Sequence, residues 1–164
     1  MAVKLSLGLR NALLNAGGLK ESLDGGKLYV FAGPVPVDAD ASLDLISSHT
    51  QIAVLTNNND GVTGLTFDAP VNGVLNRAAA QTWEGTVTFD GVDDSDPSLQ
   101  PTFFRFCGPG DNGRGVGGTT AKRVQGTAGG PSSGADMDVG ADSVVDNGTN
   151  TIEVDTGRFL LPAG

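Results

Sequence analysis

The stretch Gln81–Phe89, QTWEGTVTF, decides the fold class. Trp83, Gly85, Val87 and Phe89 fall on one side of an extended chain, and Thr82, Glu84, Thr86 and Thr88 on the other. Alternation of this kind marks a strand with one face in a core and one in water. Outward from it the pattern recurs. Thr102–Cys107 (TFFRFC) sets Phe104 and Phe106 on one face, against Phe103, Arg105 and Cys107 on the other. Lys27–Ala32 (KLYVFA) is almost continuously apolar, as expected of a strand covered on both faces. Gln51–Thr56 (QIAVLT) and Lys122–Thr127 (KRVQGT) read as strands, with shorter ones at Leu65–Phe67 and Val74–Leu75. In Thr151–Leu161, Ile152 and Val154 alternate ahead of Phe159, Leu160 and Leu161.

Turn chemistry separates these segments: Gly33-Pro34, Asn57–Gly61 (NNNDG) and Val71-Asn72-Gly73. The intervals are too short for crossover helices, and no amphipathic helix is evident after residue 50, so the strands should pair antiparallel. The expected class is mainly β, an antiparallel β-sandwich or jelly-roll-like body with a short N-terminal α-helix. That helix is predicted over residues 3–16. Leu5, Leu9 and Leu13 recur every four residues with Leu14 and Ala16 beside them, Ser6 can cap the start, and Gly17-Gly18 stops it. Leu19–Leu23 and Asp38–Ser47 each have room for a further helical turn. With no linker evident, residues 1–164 read as one domain, the helix leading into a β body over 27–161.

A chain of 164 residues can bury a sufficient core without disulfides. Cys107, the sole cysteine, has no internal partner, which fits synthesis in a reducing compartment. The net charge of −9 and pI of about 4.3 repel phosphate and argue against a nucleic-acid partner. Charge is uneven: residues 1–30 carry a net +2 and the remainder −11. A basic amino-terminal segment on an acidic body suits an acidic partner surface. On that reasoning Leu5, Leu9, Arg10 and Leu13 of the helix are the candidate partner contacts. No signal peptide is evident before a cleavage site, and no stretch approaches the roughly 18 apolar residues of a membrane span.

Candidates for chemistry are few. His49 is the only histidine, lies in a polar stretch, and lacks the placed nucleophile and acid that a triad requires. Cys107 ends an aromatic strand, and the composition of one Cys and one His does not suffice for the usual zinc site. Gly108–Gly115 resembles a phosphate loop superficially but lacks the Lys-Ser/Thr pair, and reads instead as a flexible glycine-rich loop. Asp90, Asp93, Asp94 and Asp96 crowd one loop; Asp38, Asp40 and Asp44 form a looser set, and Asp136 and Asp138 another. Calcium favours such oxygens, yet the EF-hand pattern is missing, so these read as solvated acidic loops. Asn147-Gly148-Thr149 matches a glycosylation acceptor, discounted without a secretory signal. The reading is of a chain with no catalytic residues, no metal and no cofactor.

Several stretches taken together resemble a group of small tailed-bacteriophage proteins. Lys4–Leu14 (KLSLGLRNALL) is similar to the group's SLRNALL-like opening helix. Ala32-Gly33-Pro34 and Pro36–Ala41 (PVDADA) match a strand ending in AGP and a following P-x-x-ADAA segment. Gly64–Ala69, Gly73-Val74 and Ala78–Thr86 resemble its GLTFDA, GV and AAA-TW-GT stretches, and Ser133–Val139 (SGADMDV) its SGADLNL. Thr102–Phe106 and Gln125–Thr127 also belong to the set. The resemblance spans nearly the whole chain and departs from it at the acidic loop Asp90–Gln100 and the glycine-rich loop 108–118. It implies a virion structural protein with no family catalytic residue to carry over. The expectation is a capsid decoration or cement protein on the capsid exterior, made in the bacterial cytoplasm. Its partners would be the major capsid protein and further copies of itself, as a dimer or trimer. A tail, baseplate or fibre-associated module is the alternative.

Overall fold

A computed structural model describes residues 3–15, 17–131, 133–139, 145–146, 148, 151–154 and 158–160. The elements run β1 (Lys4–Leu5), α1 (Leu7–Leu14), α2 (Leu19–Leu23), β2 (Lys27–Ala32), β3 (Thr50–Asn57), β4 (Val74–Asn76) and β5 (Trp83–Gly91). They continue with β6 (Ser98–Leu99), β7 (Phe103–Cys107), β8 (Arg123–Gly129), β9 (Met137–Asp138), β10 (Val145–Asp146), β11 (Thr151–Glu153) and β12 (Arg158–Leu160). The chain is mainly antiparallel β with a short N-terminal helix. One open sheet dominates, ordered β1-β8-β7-β2-β3-β5-β11, and β9 joins β8 in parallel. Two small ladders, β6 with β10 and β4 with β12, complete the described pairings between strands.

Alternation builds a core on each face of this sheet. On the first face, Leu28, Val30, Phe104, Phe106, Val124, Trp83, Val87 and Phe89 meet Leu9, Leu23, Leu65, Phe67 and Leu75 from the covering segments. Trp83 packs edge-on to Phe67, with ring centroids 5.1 Å apart, and lies 5.5 Å from Phe106. Gly85 interrupts the apolar row of β5 because a Cβ there would fall 2.4 Å from the Val54 carbonyl oxygen. The second face holds a smaller cluster of Tyr29, Phe31, Leu43, Phe103 and Cys107, with Phe31 stacked on Phe103 at 4.9 Å. Arg105, Arg123, Gln125 and Gln51 are buried beside it.

Strand positions follow the sequence closely: β2 occupies the expected Lys27–Ala32, and β5 alternates buried and exposed as its residues dictate. The helix differs from its expected span of 3–16. Lys4-Leu5 are extended and pair with Gln125 and Val124, so α1 begins only after Ser6, whose ψ of 159° is that of an N-cap. It ends at Leu14, and Ala16 lies outside the described residues. Asp38–Ser47 forms no regular helix, but a single helical-type turn closes at its end, where the Ser48 N–H donates to the Asp44 carbonyl. Asp38 and Asp44 each accept from backbone N–H groups two and three residues ahead, which fixes local turns. Leu65 and Phe67 make isolated bridges to Gly26 and Arg77 rather than a strand. At the end of the β body, Arg158–Leu160 pairs with β4; Leu161, and Asn147 and Thr149 of the acceptor motif, lie outside the described residues.

Leu9 is wholly buried in the main core, so Leu9→Ala should cost about 2–5 kcal/mol through lost contacts and a residual cavity. Urea unfolding followed by the emission of Trp83, the sole tryptophan, measures this directly.

Candidate functional site

The structure divides the residues singled out from the sequence. Ser6 anchors α1 from both sides: its Oγ accepts from the backbone N–H groups of Leu9 and Arg123 and donates to the Ala121 carbonyl. Asp40, distant in sequence, accepts from the Leu7 N–H and caps the same end. Gly8 lets the helix press against the 120–121 backbone, since a Cβ would sit 2.3 Å from the Ala121 oxygen. This docking turns Leu9 fully inward, with Leu5 and Leu13 packed half-buried on the same core. Of the four expected contacts, only Arg10 is exposed. Leu9 in particular is core, because the helix begins at Leu7 and its register sends position 9 against the sheet. The apolar residues that face outward are Leu7 and Leu14, 38% and 85% exposed. Their seven-residue spacing was the signal for them, since it returns a helix to the same side after two turns.

The second face of the sheet is organised by two arginines. Arg123, on β8, makes a two-pronged pair with Asp111, its Nη2 lying 2.8 Å from Oδ1 and its Nε bonding Oδ2. Its Nη1 donates to the Gly115 and Ala39 carbonyls. Arg105, on β7, has no carboxylate among its hydrogen-bond partners. Its Nε donates to Gln125 Oε1 at 2.9 Å, Nη1 to the Gly113 carbonyl at 2.6 Å and Nη2 to the Asp38 carbonyl at 3.3 Å. Burial first, then repulsion from Arg123, lowers the Arg105 pKa to about 10, which leaves it charged at neutral pH. The glycine-rich segment read as flexible is thus held to the sheet by guanidinium groups. Gly113, with φ +71°, also leaves room for the Cys107 sulfur, which would lie 2.9 Å from a Cβ.

Other candidates occupy structural positions. His49 is buried with Nε2 3.0 Å from the Pro34 carbonyl and Nδ1 2.8 Å from Ser48 Oγ, its ring edge-on to Phe103. Cys107 is fully buried, and desolvation, reinforced by the nearby Asp111 charge, drives its thiol pKa far up; the reactive thiolate is disfavoured. Many aspartates bind the chain's own backbone. Asp60 accepts from Val62 and Thr63, Asp24 from Phe67, Asp68 from Ala79, and Asp136 from Thr127. In the acidic loop, Asp90 pairs with Arg114, and Asp94 and Asp96 continue backbone turns. Among the described residues, no group of three or more His, Cys, Asp or Glu is arranged to hold a metal ion. A cleft of about 560 Å³ opens between α2, the 108–117 segment and residues 120–123. Of its ionisable walls, Asp111 and Arg123 bond each other and Glu21 accepts from the Gly18 N–H.

Comparison with known proteins finds no matching family model, curated protein or solved structure, so the site rests on its own chemistry.

Tyr29 gives a clean optical test, because it is the only tyrosine. Burial, then the charges of Cys107 and Asp111, raise its pKa from 10.0 to about 12. The stability that this shift represents is complete below pH 10 and is lost as pH rises towards 12. Alkaline titration should show no phenolate absorbance step near pH 10 in the folded protein, and an ordinary one in urea.

The arginines should also differ. Arg123→Ala strands the Asp111 carboxylate and should cost about 3–5 kcal/mol. Arg114→Ala breaks a pair with a largely exposed Asp90, worth little, but also strands the buried Gln51 Oε1, and should cost about 1–3 kcal/mol. Parallel denaturant curves compare them.

Proposed function

We propose that this chain is a non-enzymatic virion structural protein of a tailed phage, a decoration or cement protein on the outside of the capsid. Its work is to bind and tie neighbouring subunits of the major capsid shell, with self-association as a dimer or trimer. The observation that carries the reading is the fate of the polar side chains. The buried arginines, His49 and many aspartates are spent on fixing loops and turns, which suits a rigid surface for gripping neighbours. The sequence resemblance over nearly the whole length supports the same class, and an acidic body suits an exterior remote from packaged DNA.

In this reading, Leu65–Phe67 and the β4–β12 ladder supply the second layer of a sandwich-like body over the first face of the main sheet. Rigidity of that kind lowers the entropic cost of binding.

Copy number tests the reading. In purified virions of a phage encoding this chain, quantitative mass spectrometry should find it in hundreds of copies, near the count of capsid subunits. A count between six and a few dozen would assign it to the tail or baseplate instead. Absence from the particle would end the virion reading altogether.

A further inference from the structure

We propose that Asn72 is a site of spontaneous self-modification, at which the backbone nitrogen of Gly73 attacks the asparagine side chain and the turn converts through a succinimide to aspartate and isoaspartate. The inference goes beyond the virion reading and does not depend on it.

Asn72 and Gly73 form the tip of a two-residue hairpin that leads into β4. Val71 and Val74 exchange both backbone hydrogen bonds, at 3.0 and 2.9 Å. The φ angles of Asn72 and Gly73 are +51° and +75°, the left-handed values that such a turn requires of both central residues. Val71, Asn72 and Gly73 are all exposed, and nothing lies within 4 Å of where a Cβ of Gly73 would stand. Among the described residues, no hydrogen bond holds the Asn72 side-chain amide or the Gly73 N–H. The attacking nitrogen and the carbon it attacks are both unencumbered. A second Asn-Gly pair, Asn112-Gly113, provides an internal contrast. There the Gly113 N–H donates to Asp111 Oδ1 at 2.9 Å, Asn112 Oδ1 accepts from the Arg114 N–H, and the buried Arg105 holds the Gly113 carbonyl. The Gly113 nitrogen cannot lose its proton or turn towards the side chain without breaking these bonds. The remaining Asn-Gly pair includes Asn147, which lies outside the described residues.

Water is the only co-reactant. The Gly73 nitrogen gives up its proton and bonds to Asn72 Cγ; the Cγ–Nδ2 bond breaks, and ammonia leaves with that proton. Water then opens the ring. Breaking the Cγ–N bond yields aspartate, whereas breaking the bond from the main-chain carbonyl carbon to the nitrogen yields isoaspartate. Either product adds one negative charge, and isoaspartate also lengthens the main chain by one atom inside the turn. A two-residue turn fixes the register of the segments it joins. This one joins segments that carry Phe67 and Leu75 into the main core, and β4 pairs in turn with β12. The extra atom therefore works against the packing of both side chains.

The test incubates full-length protein in mildly alkaline buffer, with a parallel sample in guanidinium chloride. Both are digested in acid and mapped by mass spectrometry, with aspartate and isoaspartate peptides separated by chromatography. In the folded protein Asn72 should convert roughly tenfold faster than Asn112 or more, the rate equivalent of a hydrogen bond that Gly113 must first break. Conversion should quicken with pH, because the nitrogen attacks after losing its proton, and the gap between the two sites should close in guanidinium chloride. Equal rates in the folded protein, or a faster Asn112, would overturn the proposal. Aspartate at position 72 without isoaspartate would overturn it too, since direct hydrolysis of the side chain gives that product alone. Protein enriched in isoaspartate should unfold at lower denaturant concentration, read from Trp83, than Asn72→Asp, which carries the same charge in an Asp-Gly turn of ordinary length. Equal midpoints would overturn the effect on the core.

Discussion

Two guanidinium groups buried on one side of a sheet hold the segments around residues 36–43 and 108–118, which have little regular structure of their own. Loop carbonyls that are removed from water must find donors elsewhere. Arg105 and Arg123 supply them, to Asp38, Ala39, Gly113 and Gly115, while Gln125 reaches Pro36. Burying a cation is expensive unless its donors are matched. Asp111 offsets that cost for Arg123, whose pKa is raised despite burial. For Arg105 the compensation comes from a side-chain amide and peptide dipoles, and its lowered pKa records the residual strain of desolvation. A lysine would not replace either residue, because a single ammonium cannot span three acceptors in a plane.

The same clamp changes what the acidic composition means. A net charge of −9 invites a search for cations or a catalytic carboxylate pair. Yet Asp38, Asp44 and Asp60 each serve backbone N–H groups two and three residues onward, and Asp111 does so for Gly113 while holding Arg123. Hydrogen bonding lowers the pKa of Asp44 and Asp60. Burial works against the same change at Asp111, but the bonds and charges from Arg123 outweigh it, and its pKa also ends below the ordinary value. Such groups lend stability at neutral pH that is surrendered as they protonate in acid. In a glycine-rich chain with long loops, aspartate is the cheapest way to define a turn.

What the sequence made legible was local. Alternation in Trp83–Phe89 and in Phe103–Cys107 determined which side chains share a face, since the pleat alone enforces it. The helix was harder. Its leucines repeat every four residues from Leu5, but Leu5 belongs to a strand, because β8 offers it a ladder that no local propensity reveals. Of the residues that reading offered as partner contacts, the core takes up Leu9 and packs against Leu5 and Leu13, while Arg10 stays exposed. The arginine clamp was invisible for a related reason: Arg105 reaches Asp38 across 67 residues and Arg123 reaches Ala39 across 84. The hint available was chemical, an arginine inside the apolar run Phe103–Cys107, where an unmatched charge would not be tolerated.

These long-range bonds link the clamp to the helix. Arg123 exchanges backbone hydrogen bonds with Ser6, giving its carbonyl to the Ser6 N–H and taking Ser6 Oγ for its own N–H. Meanwhile its side chain grips Ala39, next to the Asp40 that caps Leu7. One residue therefore ties together the sheet, the loop that covers it and the start of α1. Loosening the guanidinium would release the Ala39–Asp40 backbone and weaken the Asp40 cap on the helix. The start of α1 is thereby held by the interior of the sheet and by the loop that covers it. At Arg123 desolvation opposes the charge, but the hydrogen bonds and charge of Asp111 outweigh it, so the pKa is raised and the fold favours the guanidinium. What that charge supplies is a fixed orientation of the covering loops and of the start of α1.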